Sequence, residues 1–346
     1  MVGREWRIVR SLGNRRPSRP EGAGPAQLAG LSAPVLIRRY PLAAKVVSSQ
    51  HPAVDVPAGW TPDPTLPLEQ ALPFPWEEAY ATRQPFQPVR LWRNAIALRR
   101  VSEARADLAR QDGIERIARQ LAGRMRDFTV HDGDAAFIEN RFDDPVDPVI
   151  PPAPWVSAIA NAFAILACGQ LAPLAGTAGD RAAYGRAFRR IHAAGTVPPD
   201  RWITLRDRHG YLWFDEYPRP AGGSTRVKNG HVFAVLALHE LGLEDPAFLP
   251  LVQAGATTME AYAACFRRPG LRSLYALDLW RKGDYLPNRA MRQLYQLHEL
   301  TAAPAFLQQG DLFAEDFAHR LADSARQGVQ AARSAAVSAV AARGGG

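Results

Sequence analysis

Six consecutive residues, Trp213-Phe214-Asp215-Glu216-Tyr217-Pro218, bring two carboxylates and three aromatic rings together. Two further stretches set a tyrosine close to an aspartate: Leu274-Tyr275-Ala276-Leu277-Asp278 and Gly283-Asp284-Tyr285-Leu286-Pro287. Carboxyl and phenol are side chains of acid–base chemistry. The plainer reading of the first stretch is an amphipathic edge strand whose side chains alternate in and out. Carboxylates beside a Tyr-Pro corner are an unusual choice for such an edge. The recurrence of tyrosine with acid between helices points to loops that carry a site. Other chemistries lack their signatures, since the chain has no Walker loop, GxGxxG, GxSxG or HExxH. The fourth residue after His239 is Leu243, and after His298 it is Ala302, so neither His-Glu pair is a zinc motif. Both pairs sit at helix ends, where a histidine faces the negative end of the helix dipole.

The elements that must position these groups are mostly helical. Residues 202–217 are the best hairpin candidate, two β-rich runs around the turn cluster Asp207-Arg208-His209-Gly210. A Gly-rich loop from Ala221 to Thr225 leads into Asn229 and a helix through Leu241. Upstream, Leu98, Val101, Ala104, Leu108, Ile114, Ile117 and Leu121 recur near helical spacing over 88–125, with Gly113 as the expected break. Ala135 to Phe142 reads as a short strand. A helix is expected from Trp155, with Ile159, Phe163 and Leu166 on one face. Val156, Ala160, Ala164 and Ala167 make it apolar nearly all round, which predicts burial. One repeat is visible: Leu-His-Glu-Leu at 238–241 and 297–300, each followed by a short link and Pro-Ala-Phe-Leu from Pro246 and Pro304. Two such helix pairs predict an all-α fold, an α/α toroid or incomplete barrel of helix pairs with a small β-hairpin insertion. Sites in that architecture lie at one end, where loops rim a cavity.

Length and charge narrow the classes. The chain has 346 residues, 47% of them hydrophobic, enough for a globular core. Cys168 and Cys265 are its only cysteines, which excludes a disulfide framework and a Cys-based zinc site. There is no run of 18 apolar residues and no compact signal sequence, so no membrane span and a cytoplasmic location are expected. Of the net charge of +8, eight arginines against Glu5 and Glu21 put +6 in the first 40 residues, leaving +2 for the other 306. A near-neutral body argues against nucleic-acid binding. Residues 1–50 are expected as a disordered basic arm, 51–126 as an extended wrapping segment with the N-terminal helices, 127–326 as the toroid, and 327–346 as a flexible tail.

Several blocks together carry a resemblance. Trp213 to Pro218, then Val227-Lys228-Asn229-Gly230 opening an apolar helix, resembles the C-terminal domain of D-glucuronyl C5-epimerases. That family carries Trp-aromatic-Glu-Glu-Tyr-Pro, then Val-Leu-Asn-Gly. Tyr275 falls in a segment similar to the family's Tyr-Asp-Leu, and Tyr285 falls where the family has a tyrosine before its next helix. Pro154-Trp155-Val156-Ser157-Ala158 is similar to a block that opens a family helix. The match covers about 127 to 309, and the order of its blocks makes it specific. The chain departs from the family at Val156, at Asn161-Ala162-Phe163 and at Leu279-Trp280, and Arg289 stands nearest to a family histidine.

The resemblance implies inversion of a uronate at C5, with a base and an acid on opposite faces of the sugar ring and donors for the carboxylate. By resemblance, Glu216, Tyr217 and Tyr285 transfer protons and Tyr275 completes the site. Arg226, Arg281 and Arg289 stand close enough in sequence to favour a phenolate or hold substrate; for Arg226 the plainer role is an ion pair. Asn229 is either a helix N-cap or a substrate contact, and Trp155 either packs in the core or stacks on a sugar. Tyr211 and Trp213 read as structural, and His231 as an ordinary early-helix residue. The implied partner is an anionic polysaccharide or glycoconjugate, with no metal, nucleotide or flavin cofactor and a possible homodimer. A uronate lyase and a non-catalytic carbohydrate-binding protein are the alternatives.

Overall fold

The computed structural model describes residues 17–28, 33–46, 60, 62–74, 88–103, 108–142, 152–271, 273–278, 287–318, 321 and 323–344. In chain order, β1 (Gly24–Ala26) and β2 (Val35–Ile37) form an antiparallel pair. Helices α1 (Pro88–Glu103) and α2 (Leu108–Asp127) lead into a small antiparallel sheet of β3 (Thr129–Asp132), β4 (Ala135–Asn140) and β5 (Trp155–Val156). Then come α3 (Ala158–Ala175) and α4 (Ala178–Ala187). A third sheet pairs β6 (Ile191–Ala193) parallel to β7 (Thr204–Arg206), and β7 antiparallel to β8 (Leu212–Phe214). Helices α5 (Lys228–Gly242), α6 (Leu249–Tyr262), α7 (Pro287–Thr301), α8 (Pro304–Phe317) and α9 (Asp323–Gly344) follow, and a short helical turn at Leu68–Ala71 and two 3-10 turns, Pro246–Phe248 and Ala263–Phe266, make up the rest of the described elements. The molecule is mostly helical, with three small sheets among the described residues where the sequence suggests one hairpin and one further short strand.

Packing follows the sequence periodicity. α3 is buried on nearly every side, as its apolar composition requires, and packs against α1, α2, α4 and α5. It alone among the described helices is long and apolar enough to cross a membrane, and it lies in the interior. Its buried amide Asn161 satisfies the adjacent sheet: Oδ1 accepts from Ile138 N at 2.9 Å and Nδ2 donates to Ala136 O at 2.9 Å. The two sequence repeats form similar units, α5 followed by α6 and α7 followed by α8; Pro246 opens a 3-10 turn that leads into α6, and Pro304 opens α8. α1 packs on α3, α3 on α5 and α5 on α7, while α2, α4, α6 and α8 each lie alongside the helix they follow.

Several boundaries differ from the sequence expectation. Gly113 lies inside α2 beside Pro64 and does not break it. Trp155 opens no helix; it pairs with Asn140 in β5, and Ser157, in an extended conformation, delays the helix to Ala158. Of the expected disordered arm, residues 17–28 and 33–46 are ordered, and the rest of it lies outside the described residues. Val35, Ile37, Tyr40 and Val46 are buried in the main core. Tyr40 N donates to Gln253 Oε1 at 2.8 Å, and its hydroxyl donates to Glu260 at 2.5 Å. His239 bonds Ala43 O at 2.7 Å. This strap is held by contacts about 200 residues away in sequence, which no local pattern reveals. The expected flexible tail is also corrected: α9 packs on α7, buries Val329 and Ala336, and pairs Arg333 with Asp311 at 2.6 Å.

Candidate active site

The site starts from the β7–β8 hairpin, which forms where the sequence places it. Asp207 holds the turn, accepting from His209 N at 2.8 Å and Tyr211 N at 3.0 Å, while Tyr262 and Trp213 donate to its other oxygen. This spends Tyr211 and Trp213 structurally, as expected from sequence. The chain beyond β8 is tied to the start of α3: Ala158 N donates to Asp215 O at 2.9 Å and Ser157 Oγ to Glu216 O at 2.7 Å. Ser157 thus anchors Glu216 instead of capping its own helix.

Asp215 closes the Gly-rich loop. Its carboxylate accepts from Thr225 N and, at 2.6 Å, from Thr225 Oγ1. Burial raises its pKa to about 6 against these bonds. Residues 225–228 then pair with 275–278: Asp278 N donates to Thr225 O, Leu277 N to Arg226 O and Lys228 N to Tyr275 O, with a bridge between Val227 and Ala276. This ribbon delivers Tyr275 to the hairpin. Its phenol donates to Glu216 Oε1 at 2.6 Å and lies 3.4 Å from the Tyr217 hydroxyl. Tyr217 stacks near Trp155 at 5.5 Å between ring centroids, and Trp155 in turn lies 5.6 Å from Phe142.

Electrostatics sorts the roles. Glu216 is 6% exposed, and burial lifts its pKa to about 7 despite the Tyr275 bond. Its Oε2 is buried without a hydrogen-bond partner. Tyr275 is pushed far above an ordinary phenol by burial and by the neighbouring carboxyl, so it keeps its proton at neutral pH. The carboxyl rests on the start of α5. A Cβ at Gly230 would lie 2.7 Å from Glu216 Oε2 and 2.8 Å from Glu216 Cβ. Only glycine leaves room for this approach.

The structure therefore joins Glu216, Tyr217 and Tyr275, with Trp155 alongside. Asn229 is not the N-cap, which is Val227; it is a buried residue of the first turn, held by Gln293 of α7 through Nε2 to Oδ1 at 3.0 Å. Arg226, in a left-handed backbone conformation with φ 49°, pairs with Asp278 and lies over the Tyr262 ring at 5.7 Å. It is a strut of the ribbon rather than a group facing the phenols. Arg289 is exposed in the first turn of α7. Tyr285 and Arg281 lie outside the described residues.

Sequence reasoning passed over four contributors: Ser157, Gly230, Lys228 and Gln293. Gly230 is the one with a local signal, a glycine inside a helix start, where it costs stability unless something packs against it. Lys228 is fully buried, its amine 4.8 Å from the Phe313 ring centre and 5.7 Å from that of Phe266; burial lowers its pKa to about 7. His231, read as ordinary, is a buried brace: Nδ1 accepts from Phe214 N at 3.1 Å and Nε2 bonds Gly255 O at 2.9 Å. The described residues include no cluster of three metal-ligating side chains. No family model matches the chain, and no curated protein matches it significantly.

Proposed function

We propose that this chain is a carbohydrate epimerase that inverts C5 of a uronic acid, of the glucuronate-to-iduronate type, in a polysaccharide or glycoconjugate. We read its helix pairs as an incomplete α/α toroid. The side-by-side run of α1, α3, α5 and α7, each with its following helix alongside, supports that architecture. The observation that carries the function is the contact of three acid–base groups from two separate loops, Tyr275 at 2.6 Å from Glu216 and 3.4 Å from Tyr217.

Glu216 lies behind the half-buried phenols, so Tyr275 is the group that meets substrate. The C5–H bond breaks as the proton moves to the Tyr275 oxygen, and the Tyr275 proton passes to Glu216 Oε1. The electron pair left on C5 delocalises into the uronate carboxylate. A carboxyl with a pKa of about 7 is a competent end point for that relay at neutral pH. Tyr275 never has to persist as a phenolate, which agrees with its raised pKa. Donors such as Asn229 and Arg289 are assigned to the developing charge on the carboxylate. The proton returned from the opposite face is assigned to Tyr285.

One feature favours uronate lyase as the second reading. The hydrogen-bonded trio is a one-sided set, sufficient to remove the C5 proton and protonate a leaving 4-oxygen on the same face. Incubation with glucuronate- and iduronate-containing polymers in deuterated water separates the readings. Deuterium at C5 in intact chains supports the epimerase. An unsaturated, ultraviolet-absorbing end supports the lyase. Neither product with any uronan tested leaves a carbohydrate-binding protein and overturns both.

A further inference from the structure

We infer that Thr225 is a positioning residue, whose hydroxyl bond to Asp215 sets where the Tyr275 phenol meets Glu216. The inference rests on the proton-transfer reading above. Asp215 and Glu216 are consecutive, and each fastens one end of the same piece of structure. At one end Thr225 Oγ1 donates to Asp215 Oδ1 at 2.6 Å, and Thr225 N donates to Asp215 Oδ2 at 3.1 Å. At the other end the Tyr275 hydroxyl donates to Glu216 Oε1 at 2.6 Å. Between them runs the ribbon of 225–228 and 275–278. Its bonds are 3.3 Å from Asp278 N to Thr225 O, 3.3 Å from Leu277 N to Arg226 O and 3.2 Å from Lys228 N to Tyr275 O. Those lengths lie at or past the long end of the amide range, whereas both end bonds fall among hydroxyl-to-carboxylate bonds, the strong ones. The ends, more than the ribbon, therefore fix the contact of Tyr275 with Glu216.

Two features single out the Thr225 end. Asp215 and Thr225 are both fully buried, so the fold keeps a carboxyl where its charge is unfavourable. The two carboxylate oxygens meet two donors, the Thr225 N–H and hydroxyl; an amide in their place would set a donor against one of them whichever way it turned. The next residue, Arg226, holds φ 49°, a conformation that a non-glycine residue keeps only where its surroundings enforce it. Thr225 grips it from one side. Ser224 Oγ, which accepts from Arg226 N at 3.0 Å, and Asp278, paired with the guanidinium, complete the grip. Releasing the Thr225 hydroxyl lets this turn relax. The movement passes through Val227, bridged to Ala276, into the adjacent Tyr275. A misplacement of about 1 Å costs a rate of reaction about 10²-fold.

Two measurements test this on the full-length chain, with circular dichroism confirming each fold. The first uses ligand-free protein with tyrosine labelled by 13C at Cζ, the Tyr275 signal being assigned by its loss in Tyr275→Phe. Thr225→Val keeps the shape of threonine without the hydroxyl, and its Tyr275 signal should move toward that of an exposed tyrosine. Thr225→Ser keeps the hydroxyl and should return the signal to the wild-type position. The second follows C5 exchange of a glucuronate-containing polymer. Thr225→Val should lower kcat about 10–100-fold with KM changed less, and Thr225→Ser should recover most of the loss. Asp215→Asn breaks the same contact from the other side, should give the same two results, and replaces Thr225→Val if that variant does not fold. A Tyr275 signal unmoved in the folded variant overturns the inference. So does a moved signal with kcat unchanged, and so does loss of the fold in both variants, which makes the contact structural. Wild type without C5 exchange overturns the proton-transfer reading and the kinetic role with it, while the Tyr275 signal still decides whether Thr225 sets the contact.

Discussion

Replacing Gly230 with alanine tests whether the Glu216 carboxyl is wedged against the start of α5. The added methyl would lie 2.7 Å from Glu216 Oε2, 2.8 Å from its Cβ and 3.2 Å from its Cγ. A clash with Oε2 alone could be relieved by rotating the carboxyl, but the contact with Cβ is anchored to the backbone. That backbone is tied to α3 through Ser157 and Ala158, so it yields little. Overpacking of this kind costs about 1–3 kcal/mol. Against it stands the helix preference for alanine over glycine, about 1 kcal/mol. The net loss should be on the order of 1 kcal/mol, with the Tyr275–Glu216 bond stretched or broken. Gly123, inside α2, is the control, since a methyl added there would meet nothing within 4 Å. Gly123→Ala should stabilise by roughly 0.5–1 kcal/mol through helix propensity alone. Urea unfolding of wild type and both variants measures the difference. Stabilisation of Gly230→Ala to the same extent as Gly123→Ala would refute the wedge.

Three further outcomes follow from the same contacts. Burial raises Glu216 to about 7 from an ordinary 4.5, so the folded state retains a proton that the unfolded chain has released. Its stabilisation is full below pH 4.5 and lost as pH rises through 7, a swing of about 3 kcal/mol. The stability difference between wild type and Glu216→Gln should therefore shrink over that window, and a constant difference would contradict the assignment. His231 runs the other way. Burial lowers it to about 4 from 6.5, so its contribution is present above pH 6.5 and lost as pH falls through 4; the wild-type advantage over His231→Gln in urea should fall across that range. Removal of residues 1–46 should lower the melting temperature by several degrees or yield insoluble protein, because it uncovers Glu260, Gln253 and the core beneath Val35 and Ile37. An unchanged melting temperature would show the strap to be dispensable.

The hairpin and the helix pairs were legible because their signals are local. The turn cluster at Asp207–Gly210 and the repeated Leu-His-Glu-Leu link each specify structure within a few residues. The ribbon between 225–228 and 275–278 was not legible as pairing, since its two strands are short and about 50 residues apart. What sequence supplied there was the recurrence of tyrosine beside acid, and it was the family resemblance that brought Glu216, Tyr217, Tyr275 and Tyr285 into one list. Arg226 and Asn229 were placed near the site by proximity in sequence, but proximity does not give direction. Arg226 turns to Asp278, and Asn229 is held from α7. The strap at 33–46 went unread for the opposite reason. Its apolar residues are too few to show a period, and every partner lies far along the chain.

The most direct test of the proton-transfer site is C5 exchange measured side by side in wild type, Tyr275→Phe and Glu216→Gln. Each uronan is incubated in deuterated water and followed by NMR at C5. Tyr275→Phe removes one hydroxyl and leaves Glu216 Oε1 without its 2.6 Å donor. Loss of a positioned acid–base group lowers the rate about 10²–10⁴-fold. Both variants should fall by that factor while remaining folded, and the double variant should fall little further, since the two groups act as one relay. Wild-type exchange that persists undiminished in both variants would contradict the account.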